Sequence, residues 1–161
     1  MSAGQILVAE HDGVNVIRLI GDVRLTLCIS FDQFIDAMFS QEDFKSVVFD
    51  LRDAEGIDST TLGLIAKISI GSRERGLDKP VCISSNPSIT RLLESMGFED
   101  ILSIVMDSDL PQLNDLKELN IQDNEEEAQK TVLEAHQVLM KLNEPNKVRF
   151  HELVETLEKK R

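Results

Sequence analysis

Apolar and polar positions along residues 5–105 follow the pattern of strands that alternate with helices. Extended, largely apolar runs predict strands at 6–9, 14–20, 47–51, 81–84 and 101–105. Asp12-Gly13 separates the first two runs and predicts a hairpin. Between the later strands, apolar residues recur at three and four residue steps, which is typical of amphipathic helices. We therefore predict an α/β fold with a mixed sheet of about five strands and interleaved helices.

Local start and stop residues bound the predicted helices. Asp58 or Ser59 is the candidate N-cap of the second helix, and Gly76 is a natural terminator for it. Pro87 is well placed in the first turn of the third helix. The charged stretch 53–56 is predicted to end the central strand, so that the chain enters the second helix through a short loop.

The chain beyond residue 107 continues with a different pattern. We predict a first domain at 1–107, a linker at 108–124 and a C-terminal helical hairpin at 125–161. The break between its two helices is expected at Asn143-Glu144-Pro145-Asn146. Two such helices cannot hide their apolar faces from each other completely, so they should dock on the first domain, on a second copy or on a partner.

Composition and charge narrow the classes of function. The formal net charge of −12 repels phosphate backbones and anionic lipid, which argues against nucleic acid and membrane surfaces as partners. The first residues carry no basic stretch followed by an apolar run, and the chain has no apolar run long enough to span a bilayer. Cys28 and Cys82 stand among apolar neighbours, which favours buried thiols in a reducing compartment. We therefore expect a cytoplasmic protein.

The most informative stretch, 47–66, puts small hydroxyl residues where a buried strand leads into a helix. At that point the Ser59 side chain is expected to face solvent. The unpaired amides and dipole of a helix N-terminus stabilise a negative charge by roughly 0.3 to 1 kcal/mol, so a phosphate is tolerated there. It would add about two negative charges to a surface that a partner must cover. The alternative is that Asp58, Ser59 and Thr60 only cap the helix.

The same stretch, Ile57-Asp58-Ser59-Thr60-Thr61-Leu62-Gly63, resembles the STAS family of anti-sigma factor antagonists. In that family the sequence Asp-Ser-Ser/Thr-Gly/Ala-Leu-Gly opens a helix after a strand. The resemblance extends over 5–105 and includes Gly21-Asp22-Val23 before the first helix and 92–98 before the last strand. Thr61 departs from the pattern, since many relatives have Gly or Ala there.

The resemblance implies a non-enzymatic switch without a cofactor. An unphosphorylated antagonist binds an anti-sigma factor and so frees a sigma factor for transcription. A serine kinase of the histidine-kinase ATPase type phosphorylates the serine after the aspartate, and a PP2C-like phosphatase reverses the modification. By position the acceptor is Ser59, with Thr60 as the less favoured alternative, and the partner-binding residues are Asp58, Ser59, Thr60 and Thr61.

Two features set this chain apart from the commonest members. Arg24 follows Gly21-Asp22-Val23, where an acid or its amide is usual, and the tail from 111 to 161 lies outside the resemblance. Residues 21–28 are similar to those of antagonists with extended carboxyl ends from bacterial flagellar, secretion and biofilm circuits.

Other interpretations remain open at the level of sequence. The chain could be a scaffolding subunit of a signalling assembly that forms a homodimer through its C-terminal helices, or a small-molecule sensor or catalyst with a polar pocket. His11, His136 and His151 have no ligand spacing with each other or with the cysteines, so no metal site is expected. His136 lies on the apolar stripe of a tail helix, where a packing role is favoured over phosphotransfer.

Overall fold

A computed structural model describes residues 3–108, 110, 113 and 115–159. Over these residues the strands are β1 Gln5–His11, β2 Val14–Val23, β3 Ser46–Ile57, β4 Val81–Ile83, β5 Ser103–Val105 and β6 Lys117–Glu118. The α-helices are α1 Cys28–Phe39, α2 Ser59–Glu74, α3 Pro87–Ser95, α4 Glu125–Leu142 and α5 Glu144–Lys159. The six strands form one sheet in the order β5-β4-β3-β2-β1-β6. The predicted mixed α/β fold is confirmed.

The hairpin between β1 and β2 follows from its turn residues. Asp12 and Gly13 have φ angles of 50° and 85°, the left-handed values that a tight hairpin turn needs and that Asp and Gly tolerate. The two strands are antiparallel, with Gln5 opposite Ile20 and His11 opposite Val14. The predicted hairpin is therefore present with the expected turn.

The central strand is longer than its apolar run. Charged residues 53–56 do not end β3, which continues to Ile57 beside β2. Asp22 pairs with Gly56 and Val23 with Ile57, after shifts in register that let the two strands stay together. The backbone ladder with β2 overrides the polar composition, because the exposed side chains of this stretch point away from the core. The expectation that the strand stops before 53–56 is wrong.

A short strand lies within the predicted linker. β6 pairs with the outer edge of β1, with Leu7 opposite Glu118 and Val8 opposite Lys117. Two residues carry no periodicity, so the sequence pattern could not predict this strand. The boundaries at 107 and 124 remain predictions. Outside the described residues lie 1 and 2 of the predicted domain, 109, 111, 112 and 114 of the linker, and 160 and 161 of the hairpin.

The C-terminal hairpin packs against the rest of the same chain. α4 contacts α2 and α1, and α5 contacts α4. Ala135, Leu139 and Phe150 of the hairpin belong to the same apolar core as the sheet. Asn124 caps α4, and glutamates fill the first turn, where they complement the helix dipole. The hairpin thus docks on the chain's own first domain, which is one of the three surfaces that the sequence allowed.

Candidate functional site

The β3 to α2 junction is organised by Asp58. This residue has extended backbone angles and is the N-cap of α2, with its Oδ1 accepting a hydrogen bond from the Thr61 amide at 2.9 Å. Its Oδ2 accepts a second bond from the Leu25 amide at 2.7 Å. Asp58 thus holds the start of α2 against the loop that follows β2.

Ser59 is the first residue of α2, and it contacts a residue that is distant in sequence. Its Oγ lies 2.7 Å from Nε2 of His136 in α4. The other ring nitrogen, Nδ1, lies 2.7 Å from the Val132 carbonyl oxygen, which can only accept a hydrogen bond. Nδ1 therefore donates to Val132, and in the neutral ring Nε2 accepts from the Ser59 hydroxyl. Ser59 is half-buried and paired, whereas the sequence led us to expect a side chain facing solvent.

The remaining predicted partner-binding residues are less accessible. Thr60 and Thr61 are each only 2% exposed. Asp58 and Ser59 are the two of the four predicted residues whose side chains are partly accessible. The four residues stand together at the helix start, and their role in partner binding remains a prediction.

His136 is the site residue whose role sequence reasoning missed. It is 2% exposed, and its ring meets the Phe150 ring edge to face at a centroid distance of 5.2 Å. A packing histidine was expected here, and His136 does pack. The missed signal was that a polar ring on an apolar stripe needs a buried hydrogen-bond partner. The sequence could not indicate which residue supplies it.

One turn along α2, Gly63 allows α4 to approach closely. A Cβ atom added to Gly63 would lie 2.3 Å from the carbonyl oxygen of Ala135, far closer than atoms can pack. Another turn on, the Lys67 Nζ lies 2.7 Å from Asp32 Oδ1 of α1. Burial alone would lower the pKa of Lys67, but the bond to Asp32 and the charges of Asp36 and Glu134 raise it above its usual value.

The pairing of Ser59 with His136 has the first two members of a nucleophilic triad but a backbone carbonyl in place of the third. Cavities with volumes of 640, 720, 570 and 530 Å³ lie elsewhere, and neither Ser59 nor His136 lines any of these four. The contact therefore has no accompanying substrate cavity among them.

Other chemistry finds little support in the described part of the chain. It contains no group of three or more His, Cys, Asp or Glu side chains placed to hold a metal ion. No helix among residues 3–108 and 115–159 combines the length and apolar character needed to cross a membrane. Cys28 and Cys82 are free and buried, as predicted, and burial is the main cause that raises their pKa values to about 11 and about 12.

A comparison with known protein families identifies the family of this chain. A family model described as the STAS domain matches residues 5–128, from β1 into the first turn of α4. The chain belongs to the STAS domain family. It is also 26% identical over 113 residues to the anti-sigma F factor antagonist of Paenibacillus polymyxa, and the match covers 70% of this chain and 95% of that protein.

Two solved structures have a similar fold. The unphosphorylated form of the anti-sigma factor antagonist SpoIIAA matches with a TM-score of 0.54 and 16% identity, over 64% of this STAS chain and 88% of that chain. An anti-sigma factor antagonist from Mycobacterium paratuberculosis matches with a TM-score of 0.51 and 22% identity, over 63% and 85% of the two chains. The resemblance to STAS-domain antagonists that the sequence predicted is confirmed.

Proposed function

We propose that this STAS protein is an anti-sigma factor antagonist that binds an anti-sigma factor, or an equivalent regulator, in its unphosphorylated form. The observation that carries the proposal is Ser59, a partly accessible hydroxyl that directly follows the capping aspartate at the first residue of α2. Similarity to an antagonist over 95% of that protein's length supports it. The protein acts by binding in the cytoplasm and is not an enzyme.

Phosphorylation of Ser59 releases the partner and so controls sigma-dependent transcription. A serine kinase of the histidine-kinase ATPase type transfers the γ-phosphoryl group of ATP. A bond forms between phosphorus and Ser59 Oγ, the bond to the bridging oxygen breaks with ADP leaving, and the hydroxyl proton passes to a base of the kinase. The product carries about two negative charges. These charges repel acidic groups of the partner, and burying the phosphate under the partner would cost its hydration. A PP2C-like phosphatase hydrolyses the ester and restores binding.

The structure favours Ser59 over Thr60 as the acceptor on accessibility. Thr60 is 2% exposed, so a kinase could reach its hydroxyl only after α2 itself is disturbed. Ser59 is half-buried and its hydroxyl is held by a single contact to α4. Tandem mass spectrometry of the protein isolated from its native cells should locate the phosphate on Ser59.

The decisive experiment compares the partners that variants capture from native cytosol. Ser59→Ala should retain an anti-sigma factor or kinase-like protein that Ser59→Asp loses, because only the second variant carries a negative charge at the start of α2. Captured proteins are identified by mass spectrometry. Both variants should fold, since Ser59 is at the helix end and an acid there complements the dipole.

Ser88 provides a matched control, since it is exposed in the first turn of α3, another helix that follows a strand. Ser88→Ala and Ser88→Asp should capture the same partners as the unmodified chain. If Ser59→Ala and Ser59→Asp capture identical sets, Ser59 is only the first residue of α2 and the proposal fails.

A further inference from the structure

α4 lies over one stripe of α2, formed by Ser59, Gly63 and Lys67 at intervals of one turn. Ser59 Oγ is hydrogen-bonded to Nε2 of His136, and Gly63 lies against the backbone of Ala135. Lys67 lies within the electrostatic influence of Glu134. His136 and Ala135 of α4 thus contact the first two turns of the helix that begins with the candidate acceptor.

Phosphorylation of Ser59 is incompatible with its present contact to His136. Oγ and Nε2 are separated by 2.7 Å, a hydrogen-bond distance that leaves no room for a phosphorus atom and its oxygens between them. A phosphate ester at Oγ also lacks the hydroxyl proton that the unmodified serine has in this contact. The phosphoryl group and the closed position of α4 therefore compete for the same space.

The turn between α4 and α5 is hydrogen-bonded to the first domain. Nδ2 of Asn146 and Nδ2 of Asn143 lie 3.0 and 3.3 Å from the Met96 carbonyl oxygen, next to the end of α3. By contrast, residues 125–130 at the start of α4 include no buried side chain. The first six residues of α4 have few contacts to lose. Moving His136 away from Ser59 also withdraws Thr131, Leu133 and Ala135, which are buried in the closed position.

We propose that α4 is an intramolecular occupant of the surface around Ser59, which must move away before that serine is phosphorylated and which a phosphate at Ser59 keeps away. This regulation rests on the proposed function, because it concerns the same serine and the same partner surface. In the closed state α4 holds the Ser59 hydroxyl in a hydrogen bond and occupies the stripe that an incoming partner would contact. The partner therefore competes with the chain's own tail.

Hydrogen–deuterium exchange of the purified full-length protein tests the position of α4 without a kinase or a partner. Gly63→Ala should raise the exchange of the amides in 128–142 about tenfold, because its new methyl group collides with the Ala135 backbone. Alanine favours helix more than glycine does, so α2 itself should remain formed. Gly71→Ala is the matched control on the same helix, since its methyl group would meet the Phe39 ring of α1 instead of the tail.

The hydrogen bond is tested separately. His136→Ala should raise exchange in 128–142 about fivefold through the loss of one buried hydrogen bond and its packing, whereas His151→Ala, at an exposed position of α5, should not. His136→Ala and His151→Ala still test the position of α4 if Gly63→Ala does not fold. Unchanged exchange in 128–142 in both Gly63→Ala and His136→Ala would overturn the proposal.

Phosphoserine introduced at position 59 during translation tests the response to the modification itself. It should raise exchange across 128–142 at least as much as Gly63→Ala does, whereas phosphoserine at position 88 should leave that segment protected. Retained protection with phosphoserine at 59 would overturn the proposal. Failure of the proposed function is a different result, in which Ser59 variants capture identical partners from cytosol while exchange in 128–142 still responds to phosphoserine.

Discussion

Asp50 of β3 shows how a single buried side chain links neighbouring strands. Its side chain is buried, yet it accepts hydrogen bonds from Arg18 Nε at 3.1 Å and from Arg52 Nε and Nη2 at 2.9 and 3.0 Å. Burial alone would raise the pKa of Asp50, but the bonds and charges of Arg52 and Arg18 outweigh it and hold that pKa below its usual value. The ionised carboxylate therefore stabilises the folded chain.

Asp50→Asn should lower the free energy of unfolding at neutral pH by about 1 to 3 kcal/mol, because charge-assisted bonds to both arginines are replaced by weaker ones. The folded-state pKa of Asp50 is depressed, so its contribution is complete above about pH 4, the usual value for an aspartate, and is lost as pH falls through the folded-state pKa. Urea denaturation at several pH values measures the difference between the two proteins. That difference should shrink in acid.

Asp53→Asn, at an exposed position of the same strand, is the control and should have a small effect that does not vary with pH in this way. A constant difference between Asp50→Asn and the unmodified chain across the acid range would contradict the assigned role of Asp50.

Among the secondary-structure elements, the turn between α4 and α5 shows how the tail is joined to the STAS fold. Asn143 Oδ1 accepts a hydrogen bond from the Asn146 amide at 2.8 Å and so caps α5, while its Nδ2 donates to the Met96 carbonyl. One side chain thus caps α5 and ties the turn to the residue that follows α3. Gly97, with φ of 82°, provides the left-handed backbone that follows Met96.

Asn143→Ala should lower the free energy of unfolding by about 1 to 2 kcal/mol, since it loses the cap and the bond to Met96 together. Asn143→Asp keeps an oxygen for the Asn146 amide but cannot donate to the Met96 carbonyl. Its free energy of unfolding should therefore lie between those of the unmodified chain and Asn143→Ala. Thermal and urea denaturation give the order. An aspartate variant as unstable as the alanine variant would show that the bond to Met96, and not the cap, accounts for the effect.

At the scale of the whole molecule, the apolar faces of the C-terminal helices are used within the chain. Leu139, Phe150 and Val154 are buried against the protein itself. The large apolar side chains exposed among the described residues are scattered, and they are Leu25, Met106, Ile121, Val148 and Leu153. Scattered exposed apolar residues are ordinary for a monomer and do not form an interface by themselves.

We therefore expect the purified protein to sediment with the mass of one chain over a wide range of concentration. The physical reason is that Leu139, Phe150 and Val154 of the hairpin are already buried within the chain, which leaves Val148 and Leu153 as the exposed large apolar side chains of its described residues. Analytical ultracentrifugation measures the mass directly. A mass that doubles with concentration would favour the scaffolding alternative, in which the C-terminal helices drive self-association.

The amino-acid sequence by itself predicted the features that depend on residues close together along the chain. The hairpin at Asp12-Gly13, Asp58 as one of two candidate caps of α2, Pro87 in the first turn of α3 and the helical spacing of the tail were all predictable. The same holds for the STAS resemblance around Ser59, which depends on an aspartate, a hydroxyl and a helix start in direct succession. Turn angles, caps and amphipathic faces are set by a few adjacent residues, so a sequence pattern can indicate them.

The tertiary structure alone decided which distant residues meet. The Ser59 to His136 bond joins positions 77 residues apart, and its energy depends on how α4 packs on α2 rather than on either local sequence. Likewise, β6 exists only because the edge of β1 is free to pair with it, and β3 extends to Ile57 because β2 runs beside it. Such contacts arise when folded elements bury surface against each other, which no short pattern records. The sequence thus indicated the candidate serine, and only the packing of the tail showed that its hydroxyl is hydrogen-bonded to α4.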